Sequence, residues 1–141
     1  MNRIGREELE KMLDMAEEAM HRAYTPYSNF QVGACLRASD GEYYLGCNIE
    51  NASYSPTVCA ERTAFFKAVS EGVRDFEAIA IVGGKGGEIA PFCAPCGVCR
   101  QVMAEFCDVN TFKLVLGSPK QFDEYLLSDV LPFAFTPKDV K

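Results

Sequence analysis

The sequence predicts one α/β domain, a mixed β-sheet sandwiched by helices, and three observations carry that prediction. Its 141 residues suit a single hydrophobic core. Segments with helical apolar spacing alternate along the chain with short strand-like runs. The first two strand-like runs flank Asp40-Gly41, a hairpin signal, so the sheet opens with an antiparallel pair and is expected to be mixed. No repeat, low-complexity tract or linker interrupts the chain, and residues 1–141 read as one domain.

The elements follow in order. Glu7 to Arg22 is the first helix, because Leu9, Met12, Leu13, Ala16, Ala19 and Met20 recur at helical spacing with charges between them. It stops before the turn-forming stretch Tyr24-Thr25-Pro26-Tyr27-Ser28. Phe30, Val32, Ala34, Leu36 and Ala38 alternate with Gln31, Gly33, Cys35 and Arg37, the pattern of a half-buried strand, and Glu42 to Cys47 returns as its partner. After an Asn- and Ser-rich loop, Ala60 to Glu71 reads as a helix closed by Gly72. Phe76 to Val82 is a short apolar strand ending at Gly83-Gly84. Gly97 to Phe106 is a helix after Pro95, Thr111 to Leu116 a fourth strand, and Phe122 to Leu127 a short helix. In the tail, Phe133 and Phe135 have no helical or strand context. Each ring left in water forgoes roughly 1.5–3 kcal/mol, so a neighbouring chain is their expected cover, with the tail packed on its own domain as the alternative.

Composition narrows the function. The formal net charge is −6 and the pI about 4.8, with no Lys/Arg cluster, so a nucleic-acid partner is not expected and a small uncharged substrate fits better. No run of apolar residues is long enough to span a membrane, and Met1 to Glu8 lacks the apolar stretch of a signal peptide. A cytoplasmic location is expected. There, seven cysteines, an odd number, argue for metal or thiol chemistry rather than disulfides.

Two segments carry the chemistry: Cys59-Ala60-Glu61-Arg62 and Pro95-Cys96-Gly97-Val98-Cys99. Each begins a predicted helix, whose positive dipole end favours thiolate over thiol. Three thiolates from two helix starts make a tetrahedral zinc site with one position left for water, as a catalytic zinc requires. Glu61, two residues after Cys59, is too close along the turn to be a comfortable fourth ligand, yet it reaches a water on the metal. It is placed to act as general acid/base. A lone C-x-x-C is weak, but C-x-E at one helix start with P-C-x-x-C at a later one is the pattern of zinc deaminases. Cys35 and Cys47, on the hairpin strands, read as core residues.

Two other readings remain at this point. Cys93, Cys96 and Cys99 form C-x-x-C-x-x-C, the opening of a ferredoxin cluster motif, although Cys107 is too far along to complete it. Alternatively, Cys93 joins Cys59, Cys96 and Cys99 in a closed, structural four-cysteine zinc site. Pro95 and the helix start argue that Cys93 points away, and a structural site has no use for Glu61.

The sequence resembles the small, homotetrameric cytidine deaminases from about Tyr24 to Phe135. The resemblance rests on Pro26-Tyr27-Ser28-Asn29-Phe30-Gln31-Val32-Gly33-Ala34, Gly46-Cys47-Asn48-Ile49-Glu50-Asn51-Ala52, Cys59-Ala60-Glu61-Arg62-Thr63-Ala64, Phe66 to Gly72 and Pro95 to Val102. It implies a three-layer α/β/α sandwich around a five-stranded mixed sheet. It also implies one zinc per chain on Cys59, Cys96 and Cys99, proton transfer by Glu61, and a homotetramer. Asn48 and Glu50 would grip the ribose. Phe30, Asn51, Ala52, Tyr54 and Ala60 would line the nucleoside site, and Phe135 would reach it from a neighbouring subunit. Arg62 would hydrogen-bond the zinc thiolates and offset the net negative charge that three of them leave on Zn²⁺. The expected reaction is hydrolysis of cytidine or 2′-deoxycytidine to uridine or 2′-deoxyuridine plus ammonia. A blasticidin-type deaminase is the alternative, disfavoured by the full Asn48 to Asn51 segment. Nucleic-acid-editing deaminases typically present a His ligand, whereas the one histidine here, His21, is expected on the surface of the first helix. Cys93 and Phe133 depart from the family's pattern.

Overall fold

The computed structural model describes residues 4–141, so the reading of Met1 to Arg3 lies outside the described residues. The order is α1 (Arg6–Met20), β1 (Phe30–Ala38), β2 (Tyr43–Cys47), α2 (Ala60–Ser70), β3 (Phe76–Lys85), α3 (Gly97–Phe106), β4 (Lys113–Gly117), β5 (Phe122–Leu126) and α4 (Leu127–Val130), with a 3₁₀ turn at Pro137–Asp139. The strands form one sheet in the order β2-β1-β3-β4-β5. Only β3 and β4 are parallel, joined through α3; the other neighbours are antiparallel. The sheet is mixed and five-stranded, as expected.

Strand periodicity sorts the core into two layers. On one face, Cys35, Ala78, Ala80, Val82 and Val115 meet Leu9, Met12, Leu13, Ala16 and Met20 of α1. On the other, Ala34, Leu36, Ile79, Ile81, Leu114 and Leu116 meet Ala64, Phe65 and Ala68 of α2 and Met103 of α3. All six apolar positions read for the first helix are buried. Arg37 binds Glu8 of α1 and Glu77 of β3, tying that helix to the sheet at its edge. His21 follows α1 as its exposed cap residue.

Three expectations need correction. β1 is not half-buried: Ala34, Cys35 and Leu36 are all inaccessible, because helices cover both sheet faces. β3 does not stop at Gly83-Gly84. Those residues pair with Val32 and Gln31, and their missing side chains make room for Cys93 and the Glu88 backbone. The segment from Phe122 is the fifth strand, antiparallel to β4, with helix only from Leu127. Phe122, Tyr125 and Leu126 have helical spacing, which misleads. In the structure, Phe122 packs into the α1-side core and Tyr125 into the opposite one, the alternation of a strand.

The register fixes where a site can form. Gly33, near the start of β1, faces Cys47 at the end of β2, and Phe30 faces Lys85 at the end of β3. One end of the sheet therefore gathers the start of β1 with the ends of β2 and β3. Two close approaches seat the helices there. A Cβ on Gly33 would stand 1.9 Å from the Ala16 carbonyl of α1, and one on Gly46 would stand 2.3 Å from the Ala60 carbonyl of α2. Alanine at either position is expected to lower stability by about 1–3 kcal/mol, because the clashing atoms are backbone. Only Gly46→Ala should also lose zinc, since it displaces the first turn of α2. Urea titration with metal analysis of both variants checks this.

Candidate metal centre and active site

Helices α2 and α3 both begin at this end of the sheet, and their N-cap residues are Cys59 and Cys96, each with extended backbone. Thr63 fastens the first turn of α2: its Oγ1 donates to the Cys47 carbonyl at 3.0 Å and to the Cys59 carbonyl at 3.2 Å. Cys99, one turn into α3, faces the same point. The Sγ atoms of Cys59 and Cys96 are 3.7 Å apart and those of Cys96 and Cys99 3.5 Å. A tetrahedral zinc with Zn–S near 2.3 Å holds its sulfurs about 3.8 Å apart; these two spacings are close to that, and all three sulfurs lie within 4.8 Å of one another. Among the described residues these three alone form such a group, and Cys93 is not in it.

The surroundings of Cys59 favour its thiolate, while the Cys59 contact and burial push the Cys99 thiol up. Contacts from the Cys99 thiol, then from Arg62 and Cys96, outweigh burial and hold the Cys59 thiol down at about 5. Arg62 Nη2 donates to Cys59 Sγ at 3.3 Å, and the sulfur contacts raise the guanidinium's own pKa. The Arg62 Nε is buried without a partner. A guanidinium left partly unpaired against thiols fits a site that carries net negative charge once a cation and three thiolates are assembled. Glu61 is 4 % exposed and is the one buried charged side chain among the described residues. Burial pushes its carboxyl up to about 7, opposed by its backbone hydrogen bond; the Cys59 charge adds to the rise and Arg62 opposes it. A carboxyl near 7 can both take and give a proton at neutral pH.

The remaining predicted residues gather in part. Phe30 opens β1 and is 36 % exposed. Asn48 bridges two strands: its Oδ1 accepts from Val32 N–H at 2.8 Å, and its Nδ2 donates to the Phe30 carbonyl at 2.9 Å. Glu50, half-buried, accepts at Oε1 from the N–H groups of Tyr27 (3.0 Å) and Ser28 (3.1 Å), and at Oε2 from the Ser28 hydroxyl. The Ser28 hydroxyl bond is the main reason its pKa is lowered. Asn51 closes its own loop, its Oδ1 accepting from Ser53, while Ala52 is exposed. Tyr54 is 72 % exposed, adopts φ +64°, and meets Tyr27 edge to face. Ala60 is buried in the α2-side core. Phe135 is 59 % exposed on the tail. Sequence reasoning missed Ser28, which orients Glu50, and Thr63, which fastens Cys59. Neither hydroxyl carries a spacing signal that separates it from an ordinary turn or helix residue.

A three-thiol set, one ligand short of a closed tetrahedral site, beside a buried acid suits a zinc enzyme that works on water. Residues 6–115 match the family description "Cytidine and deoxycytidylate deaminase zinc-binding region", and the chain belongs to that family of zinc-dependent hydrolases. It is 47 % identical over 133 residues to a cytidine deaminase of Sporosarcina psychrophila, covering 94 % of this chain and 95 % of that one. It is 50 % identical over 130 residues to a cytidine deaminase of Halalkalibacterium halodurans, covering 92 % and 95 %. The fold superposes on the crystal structure of a cytidine deaminase from Burkholderia pseudomallei with a TM-score of 0.81 and 45 % identity, covering 89 % of this chain and 97 % of that one.

Metal analysis is expected to find one zinc per chain. Serine at Cys59, Cys96 or Cys99 should lose the metal or the activity, whereas Cys93→Ser should keep both. Loss of zinc from the Cys93 variant would contradict the three-thiol assignment.

Proposed function

We propose that this protein hydrolyses cytidine and 2′-deoxycytidine to uridine and 2′-deoxyuridine with release of ammonia. The observation that carries the reading is the buried carboxyl of Glu61 two residues from a thiol of the three-sulfur cluster. Cys59, Cys96 and Cys99 would hold the zinc. When bound, it supplies a Lewis acid that makes water nucleophilic near neutral pH.

Glu61 is the proton carrier. It takes the proton released as water adds to C4, the amino-bearing carbon of the pyrimidine, and delivers it to ring nitrogen N3. It then carries the second proton to the amine as the C4–N bond breaks and ammonia leaves. Arg62 steadies the Cys59 sulfur and tempers the site's negative charge. Phe30, at the start of β1, offers a ring face to the nucleoside. The carboxylate of Glu50 accepts from ribose hydroxyls, and the Nδ2 hydrogen of Asn48 not used on Phe30 adds a donor. Asn51, Ala52 and Tyr54 complete the wall, with Ala60 packed in the core behind it. The net charge of −6 favours this neutral substrate over a polynucleotide. The seven unpaired cysteines suit work in the reducing cytoplasm.

The active assembly is a homotetramer in which Phe135 of one chain completes the pocket of another. Support comes from apolar surface near the site: Tyr24, Tyr27, Ile49 and Tyr54 are all exposed, as are Phe133 and Phe135 on the tail. Such a patch on an isolated chain marks an interaction face.

Glu61→Gln is expected to keep zinc and fold while losing turnover by more than ~10²-fold. The same change tests the burial of the carboxyl. Between pH 4.5 and about 7 the folded chain keeps a proton on Glu61 that the unfolded chain has released. The group's contribution to stability therefore falls as pH rises through that window. In metal-stripped protein, Glu61→Gln should stabilise the fold at pH 8 by up to about 3 kcal/mol and leave it unchanged at pH 4.

Light scattering of active protein should give the mass of four chains. Phe135→Ala should raise KM for cytidine, and mixing it with Glu61→Gln should recover activity as subunits exchange. A monomer that is fully active would contradict the shared site. Assay against cytidine, deoxycytidine, cytosine, CMP and adenosine tests the substrate class, with turnover expected for the first two.

A further inference from the structure

Immediately after Cys99, helix α3 presents two side chains whose hydrogen bonds leave the helix. Arg100 donates from Nε to the Pro95 carbonyl at 2.8 Å and from Nη1 to the Val130 carbonyl at 2.5 Å. Gln101 donates from Nε2 to the Phe135 carbonyl at 2.8 Å. The first bond holds the residue that precedes Cys96. The other two grip the chain at the end of α4 and, five residues on, in the tail. Between those two grips lies Phe133, at φ +54° and with its side chain fully exposed. A bulky residue in left-handed backbone is strained, and such strain persists where the surroundings over-determine it. Here the surroundings are two tethers to one helix, bracketing the bend.

We propose that Arg100 and Gln101 are positioning residues. Through the carbonyls of Val130 and Phe135 they fix the tail to the metal-bearing helix, so that Phe133 and Phe135 are presented to the nucleoside site of a second copy of this chain. This rests on the reading that the tail serves a neighbouring chain. It adds that the tail's placement is set by the same helix that carries Cys96 and Cys99, so each chain's metal centre and its contribution to the neighbour's pocket form one rigid piece. Neither side chain touches the substrate or the reacting atoms in this scheme.

Arg100→Ala also frees the Pro95 carbonyl beside Cys96 and endangers the fold, so Gln101 carries the test. Gln101→Glu keeps the shape and removes the donor, and Gln101→Lys keeps a donor. Steady-state kinetics with cytidine are measured on zinc-loaded protein, with Phe135→Ala alongside. Gln101→Glu is expected to raise KM about three- to ten-fold, the effect of one lost neutral hydrogen bond, with kcat little changed and one zinc per chain. Gln101→Lys should lie closer to the parent. A parental KM in Gln101→Glu, while Phe135→Ala raises KM, would overturn the proposal and leave the shared pocket standing. An unchanged KM in Phe135→Ala would remove both. Loss of zinc or of kcat in Gln101→Glu would also overturn the proposal, assigning Gln101 to the upkeep of the metal helix.

Discussion

Two helices that begin at the same end of one sheet are the constraint on which the rest of this structure depends. Cys59 caps α2 and Cys96 caps α3, and the sheet register brings both caps beside the start of β1. A helix start offers unpaired N–H groups and a positive dipole end, which favour thiolates there. Bringing two such starts together lets three sulfurs from opposite ends of a 37-residue sequence separation approach within bonding distance of one ion. The glycines that seat the helices and the Thr63 hydroxyl serve that convergence.

The same convergence creates a conflict that the fold tolerates. Glu61 follows Cys59 into the first turn of α2, so it is carried into the core, where an ionised carboxylate is poorly solvated. Its raised pKa is the measure of that, and it is also what fits the group for proton transfer near neutral pH. Arg62, next in sequence, lies on the other side of the turn against the Cys59 sulfur. In the proposed reaction three consecutive positions divide the labour: Ala60 packs, Glu61 would carry protons, and Arg62 would balance charge. Residues at the opposite edge act in a quieter way. Asn48 and Glu50 already bind the backbone of β1 and of the Tyr27-Ser28 turn, so the groups assigned to the ribose also shape the loop that holds Phe30.

Much of this was legible in the sequence, for identifiable reasons. The cysteine and glutamate spacings encode the metal cluster directly, because helix geometry converts C-x-E and C-x-x-C into fixed directions. The apolar stripe of α1 is equally plain, since all six of its periodic residues are buried. Short-range patterns failed where tertiary context decided. Phe122 to Leu126 has helical spacing but becomes an edge strand because β4 offers it a partner and its aromatic residues enter opposite cores. Gly83-Gly84 looks like a stop, yet it continues a strand because other segments occupy the space its side chains leave. The tail was legible as unpartnered, but its tethers were not: the Arg100 and Gln101 bonds cross 30 and 34 residues and leave no periodic trace.

The central claim is that the metal is held by three thiolates with water as the fourth partner, Cys93 standing outside. X-ray absorption at the zinc edge of the purified protein tests it most directly. The account predicts three sulfur neighbours at about 2.3 Å and one oxygen or nitrogen neighbour at about 2.0 Å. Four sulfur neighbours would contradict it, making the centre a closed structural site with no place for the chemistry assigned to Glu61.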